Sequence, residues 1–225
     1  MAKYYTYRLK EFFDELSLNN NREWFAAHKS EYEDLRGLWL DDLQNMLDAM
    51  GEWEPAVKAV TAKEAAYRIY RDTRFSPDKT PYKTYFSASV SPYGRKMEHR
   101  GGYYLHMSMI PGDAGLYGGI WQPEAPVLRK LRHAIVDNIE EFEEIINAPE
   151  MLKFFPGWAS DSLKTAPKGW AKDHPNIELL RLKDFGKMYA PSDKFFYDPS
   201  WSKKSADIFH YLKPLVDFIN YSIEE

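Results

Sequence analysis

Thr84–Trp121, TYFSASVSPYGRKMEHRGGYYLHMSMIPGDAGLYGGIW, decides the fold. Over 84–91, Phe86, Ala88 and Val90 alternate with Tyr85, Ser87 and Ser89. Over 102–110, Leu105, Met107 and Met109 alternate with Tyr104, His106 and Ser108. A period of two is the mark of a strand, because successive side chains leave opposite faces of the pleat. Pro111-Gly112-Asp113 reads as a turn, and 115–121 as a further strand. Residues 92–100, with Pro92 and Gly94, read as a polar connection. Strands joined by such short links predict an antiparallel meander. Upstream, 65–72 alternates too, with Tyr67 and Ile69 on one face and Arg68 and Tyr70 on the other.

Outside this block the period changes to that of a helix. Leu9, Phe12, Phe13 and Leu16 form a stripe over 8–18. Asn20 and Glu23 have the spacing of a capping box, so a second helix is expected to start there. Its stripe runs from Trp24 through Tyr32, Leu35, Trp39, Leu43 and Met46 to Met50, with Gly51 as its C-cap. Downstream, 124–147 predicts one helix on Leu128, Leu131, Ile135, Ile139, Phe142 and Ile146. A short helix near 176–182 and a strand at 184–190 come next. A final helix over 201–223 is expected to kink at Pro214. The whole, 1–225, predicts a single α+β domain: a central antiparallel sheet with helices packed mainly on one face.

Composition narrows the function. The chain is 44% hydrophobic and 28% charged, enough to bury a sizeable core without disulfide or metal staples. With no cysteine, disulfides, thiolate zinc sites and cysteine nucleophiles are excluded. No apolar run reaches signal-peptide or membrane-span length, so the expectation is a soluble, cytoplasmic protein with no membrane partner. The net charge of -4 does not favour nucleic acid in bulk.

That charge is unevenly placed. From Lys63 to Arg100 nine Lys/Arg face four Asp/Glu, a local +5 that leaves -9 for the rest of the chain. The run Arg68–Lys83, RIYRDTRFSPDKTPYK, is its centre. Arginine grips phosphate or carboxylate through a planar fork, and lysine adds a point charge. Arg68, Arg71, Arg74, Lys79 and Lys83 are therefore the candidate anion ligands. Tyr82 and Tyr104 are expected to orient the ligand. His106 or Asp72 is the proton-transfer candidate. The loop 164–174, through Lys164 and Lys168, is the candidate cover. Two further arrangements fit the same residues. In one, Asp72 and Asp78 pair with the arginines and merely fix a solvated loop. In the other, the basic and aromatic face is a non-catalytic module for nucleic acid or a protein partner.

Several chemistries find no motif. There is no G-x-S-x-G elbow and no phosphate-binding P-loop. The histidines show neither His-x-His nor HExxH spacing, so no metal site is expected. Neither a reaction, a cofactor nor an oligomeric state follows from these residues.

Four segments in order carry a resemblance: FFDELSLNNNREWF (12–25), RIYRDTRFSPDKTPYK (68–83), GGYYLHMS (101–108) and LKTAPKGWAKDHPNIELLRLKDF (163–185). Together they resemble a family of bacterial and fungal conserved hypothetical proteins, a domain of unknown function. The resemblance implies one domain over nearly the full length. It brings no activity, substrate or catalytic residue with it.

Overall fold

The computed structural model describes residues 3–91 and 100–224; the connection expected over 92–100 lies, apart from Arg100, outside them. In chain order come α1 (Tyr5–Leu18), α2 (Arg22–Ala27), α3 (Lys29–Met50), α4 (Ala62–Ala65), β1 (Tyr85–Val90), β2 (Gly102–Ser108) and β3 (Gly115–Ile120). Next are α5 (Ala125–Asp137), α6 (Ile139–Ile146), α7 (Pro149–Phe154), α8 (Ile177–Leu180), β4 (Phe185–Tyr189), α9 (Trp201–His210) and α10 (Lys213–Glu224). The four strands form one antiparallel sheet in the order β1-β2-β3-β4, the meander that the alternation predicts. The fold is α+β.

Contacts gather the chain into two compact units, each built from several separate stretches. The first comprises the described residues up to 91, with Tyr104–Leu116 and Ala190–Asp207. Its core is aromatic. Phe86 of β1 meets Phe13 of α1 at 5.2 Å between ring centres and stacks on Trp39 of α3 at 4.5 Å. Leu9, Leu16, Leu35 and Leu43 fill the space between these helices, all fully buried. Asp42 of α3 anchors the far end, accepting from the Tyr4 hydroxyl and, at 2.9 Å, from the Trp201 indole N–H.

The second unit comprises 100–103, Tyr117–Tyr189 and Ile208 onward. Here α5, α6 and α10 pack together, with Phe142 against Phe218 at 5.1 Å and Phe185 at 6.2 Å. Tyr103 meets Phe209 edge to face at 5.5 Å. Gly118 lets Leu212 close onto β3, since a Cβ there would lie 2.6 Å from its Cδ1.

Several boundaries differ from the sequence reading, each for a local reason. Asn21, not Asn20, caps α2, accepting from the Trp24 N–H at 2.9 Å. The long second helix is broken at His28, whose Nδ1 bonds the Trp24 carbonyl oxygen at 2.8 Å while its ring stacks on Trp24. The 124–147 helix is two helices, because the Asn138 side chain donates to the Ala134 carbonyl and leaves the helical backbone angles. The closing helix also divides rather than kinks. Pro214 offers no N–H to the His210 carbonyl, so α9 ends at His210 and α10 takes the proline into its first turn. Ser87 and Ser89, which alternate with the apolar residues of β1, are buried as well, at 3% and 1% exposure.

Candidate functional site

The site grows from an irregular hairpin in the first unit. Residues 65–72 do not make the continuous strand that their alternation suggests. They pair with 81–88 through two isolated antiparallel bridges, Ala66 with Ala88 and Tyr70 with Tyr82. Three backbone bonds hold the pairing: Tyr67 N–H to the Ser87 carbonyl at 2.9 Å, Lys83 N–H to Ile69 at 2.8 Å and Arg71 N–H to Pro81 at 2.9 Å. Pro81 has no N–H to return, so the ladder cannot become regular there. The hairpin is pinned from outside by Asn20, which donates to the Tyr82 carbonyl at 2.9 Å and accepts from the Tyr82 N–H at 3.0 Å. Tyr82 itself, expected to orient a ligand, is 6% exposed and stacks on Phe25 at 4.0 Å. It is a core residue.

The loop 72–80 takes up most of the expected anion ligands in its own construction. Arg71 donates to the carboxylate of Asp78 and the hydroxyl of Thr80. Arg74 grips Asp72 in a two-pronged contact, Nε to Oδ1 at 2.9 Å and Nη2 to Oδ2 at 2.6 Å. Lys79 donates to the Thr73 carbonyl at 2.8 Å. Arg74's side-chain and backbone bonds hold the Asp72 carboxyl down at about 2. The Thr80 backbone N–H and then Arg71 do the same for Asp78, also about 2. A carboxylate with so low a pKa, already occupied by arginine, is a poor proton acceptor near neutrality, so Asp72 leaves the proton-transfer role. The loop carries Phe75 outward at 94% exposure.

Lys83 and Arg68 remain. Among the described residues neither forms an ion pair with a carboxylate, although both stand in the most basic part of the chain. The Lys83 ammonium lies 5.2 Å from the ring centre of Tyr67 and 5.7 Å from that of Tyr85. Such faces attract a cation but do not neutralise it. Burial, and then the neighbouring Arg68, push the Lys83 pKa down from its ordinary value. Arg68 also acts on the carboxylate of Asp72, whereas the Lys83 ammonium has only ring faces and a second cation around it, a positive potential that an anion would relieve.

Beside them runs a row of polar groups on β1 and β2. Burial raises the pKa of the Tyr104 phenol, against the opposing pull of the Ser87 hydroxyl. The Tyr104 hydroxyl is 3.5 Å from His106 Nδ1, and His106 Nε2 is 3.3 Å from Asp113 Oδ2. Tyr85 packs against the imidazole at 4.2 Å, and Tyr104 lies 6.2 Å from Tyr67. An imidazole whose Nε2–H points at a carboxylate leaves Nδ1 as the acceptor, the arrangement that suits general-base work.

The structure thus brings together Arg68, Lys83, Tyr104 and His106, and diverts Arg71, Arg74, Lys79, Asp72 and Tyr82 to the scaffold. Lys164 and Lys168 are exposed and belong to the second unit, where the Lys164 carbonyl accepts from Arg181 at 2.9 Å. Sequence reasoning missed Tyr67 and Tyr85 as walls and Asp113 as the partner of His106. The spacing of Lys83 and Tyr85, two apart on one strand face, was the available signal for the first. Among the described residues no three His, Asp or Glu side chains gather as metal ligands.

A family model described as conserved hypothetical protein, DUF2461, matches residues 8–218. No curated protein and no solved structure matches the chain.

Proposed function

We propose that this chain, which belongs to the DUF2461 family of conserved hypothetical proteins, binds a small ligand bearing a phosphate or carboxylate group. Lys83 and Arg68 hold the anion, and Tyr67 and Tyr85 wall it. His106, oriented by Asp113, is the group in place to take a proton should the bound ligand offer one. The observation that carries this reading is the half-buried Lys83 ammonium, set between two tyrosine rings beside Arg68 with no carboxylate to balance it among the described residues. Burying a cation without a partner is unfavourable, and such groups cluster where ligands bind.

Thermal unfolding in graded inorganic phosphate and citrate tests it. A ligand that binds only the folded chain adds roughly 2.7 kcal/mol at a hundred times its Kd. Wild-type Tm should therefore rise with one of these anions beyond the effect of equal ionic strength in chloride. Lys83→Met and Arg68→Ala should lose that rise. An equal rise in all three proteins contradicts the proposal.

One observation favours a second reading. Phe75 stands 94% exposed, with the Arg74 guanidinium 5.8 Å from its ring centre. An exposed ring among cations suits stacking on single-stranded nucleic acid. Binding of that kind weakens steeply with salt and depends on Phe75. Absence of oligonucleotide binding at low salt removes it.

A further inference from the structure

The second unit holds a cleft of about 520 Å³, lined among others by Trp121, Gln122, Ser160, Asp161, Lys183 and Asp184. Close backbone approach builds it. Gly119 sits at φ +130°, and a Cβ there would lie 2.2 Å from the Phe185 carbonyl oxygen. Gly186 has no side chain because the Tyr117 hydroxyl fills that space. The end of β3 is thereby drawn against the start of β4. A third wall comes from 159–161, through Ala159 N–H to the Gly186 carbonyl at 2.8 Å and Lys183 N–H to the Asp161 carbonyl at 3.0 Å. Asp184 N–H adds a bond to Ser160 Oγ at 3.1 Å.

Three features of this cleft lack a structural reason. Gln122 adopts φ 44°, the one non-glycine residue in the left-handed region among the described residues. Such strain concentrates at binding and catalytic positions. Trp121 presents its ring at 55% exposure instead of joining the core. Asp184 is 4% exposed, yet its Oδ1 has no hydrogen-bond partner. Burial raises the carboxyl's pKa, against the opposing pull of the Ser160 hydroxyl and the Gln122 backbone N–H. The lysine next to it does not relieve it, since Lys183 pairs with Asp161 at 3.3 Å. With that pair formed, the Asp184 carboxyl is the acidic group of the cleft lining left without a charged partner, and the exposed Trp121 indole lines the same cleft. A buried carboxylate oxygen lacking a partner calls for a donor, preferably a charged one. An indole face beside a carboxylate is the combination that recognises an organic cation.

We infer that this cleft is a binding site for a small alkylammonium ion, its N–H groups directed to Asp184 and its carbon chain laid against Trp121. The anion site proposed above has the opposite charge preference, so either can fail without the other.

Calorimetric titration with n-butylammonium chloride tests the inference, with n-butanol and glucose as neutral controls. The cation should bind saturably and the neutral controls should not. Asp184→Asn keeps the shape of the side chain and removes its charge, and should weaken binding about tenfold or more. Trp121→Ala alters an exposed ring, leaves the fold intact by circular dichroism, and should weaken binding severalfold. Two results overturn the inference: no saturable binding of n-butylammonium to the wild type, or binding that survives Trp121→Ala unchanged. Equal binding of n-butanol or glucose also overturns it, because charge would then not select the ligand.

Discussion

Lys83 holds its ammonium over the ring of Tyr67, 5.2 Å from its centre, with no acidic group to balance it among the described residues. The aliphatic stem gains from packing while the charge loses from burial. Lys83→Met keeps the stem and discards the charge. We expect it to change unfolding free energy in urea by less than about 1 kcal/mol, while the stabilisation by phosphate disappears. A large loss of stability would show that the ammonium holds the fold.

Asn20 binds both backbone groups of Tyr82, 62 residues away. Its removal leaves a donor and an acceptor unsatisfied in a half-buried setting. Asn20→Ala should cost about 1–3 kcal/mol in urea unfolding. Asn20→Asp, which can accept but not donate, should fall between alanine and wild type.

Asp78 and Asp72 fix the loop 72–80 and do not touch the proposed ligand. Asp78→Ala should leave the urea midpoint nearly unchanged, because the Asp78 side of its ion pair with Arg71 is more than half exposed. Limited tryptic cleavage at Arg74 or Lys79 should become faster as the loop loosens. Asp72→Ala should leave phosphate stabilisation intact. Loss of that stabilisation would return Asp72 to the site.

Lys187 is 3% exposed, and its ammonium donates to the Phe155 and Gly157 carbonyls at 3.0 and 3.3 Å, over the ring of Trp158. Desolvation lowers its pKa from 10.5 to about 8. Below that folded value both states carry the proton, and the folded state bears the full penalty of a buried charge. Between about 8 and 10.5 the unfolded chain still holds the proton and the folded one does not. Stability should therefore rise with pH across this window, by roughly 1.4 kcal/mol per unit at most. Comparison with Lys187→Met isolates the effect from other groups. Parallel pH profiles for the two proteins would contradict it.

The parts of the fold that the sequence reveals are those set by periodic burial. The stripes through Leu9–Leu16 and Tyr32–Met50 became α1 and α3, and the alternation around Leu105 and Met107 became β2. Breaks governed by one side chain were hidden. His28 and Asn138 each interrupt a continuous apolar stripe by bonding a carbonyl four residues back. No hydrophobic pattern records such a bond. Pro214 was visible, but whether a proline bends a helix or ends it depends on its place in the turn. Here a new helix begins one residue before it, at Lys213.

The site was legible as a region more than as a set of residues. Charge density located the Arg68–Lys83 run. It did not say which cations would find partners inside their own loop. Arg71 with Asp78 and Arg74 with Asp72 are local pairs that the spacing allowed. That Lys83 would be left between Tyr67 and Tyr85 depends on the bridge register, which Pro81 disturbs. Asp184 and Trp121 come together only through the close contact at Gly119 and Gly186, and nothing in their sequence neighbourhood announces it.

A crystal structure of the protein grown in inorganic phosphate tests the central claim most directly. A phosphate is expected within hydrogen-bonding distance of both Lys83 Nζ and the Arg68 guanidinium, beside the rings of Tyr67 and Tyr85. A phosphate found only elsewhere, with Lys83 and Arg68 holding no anion, would contradict the claim.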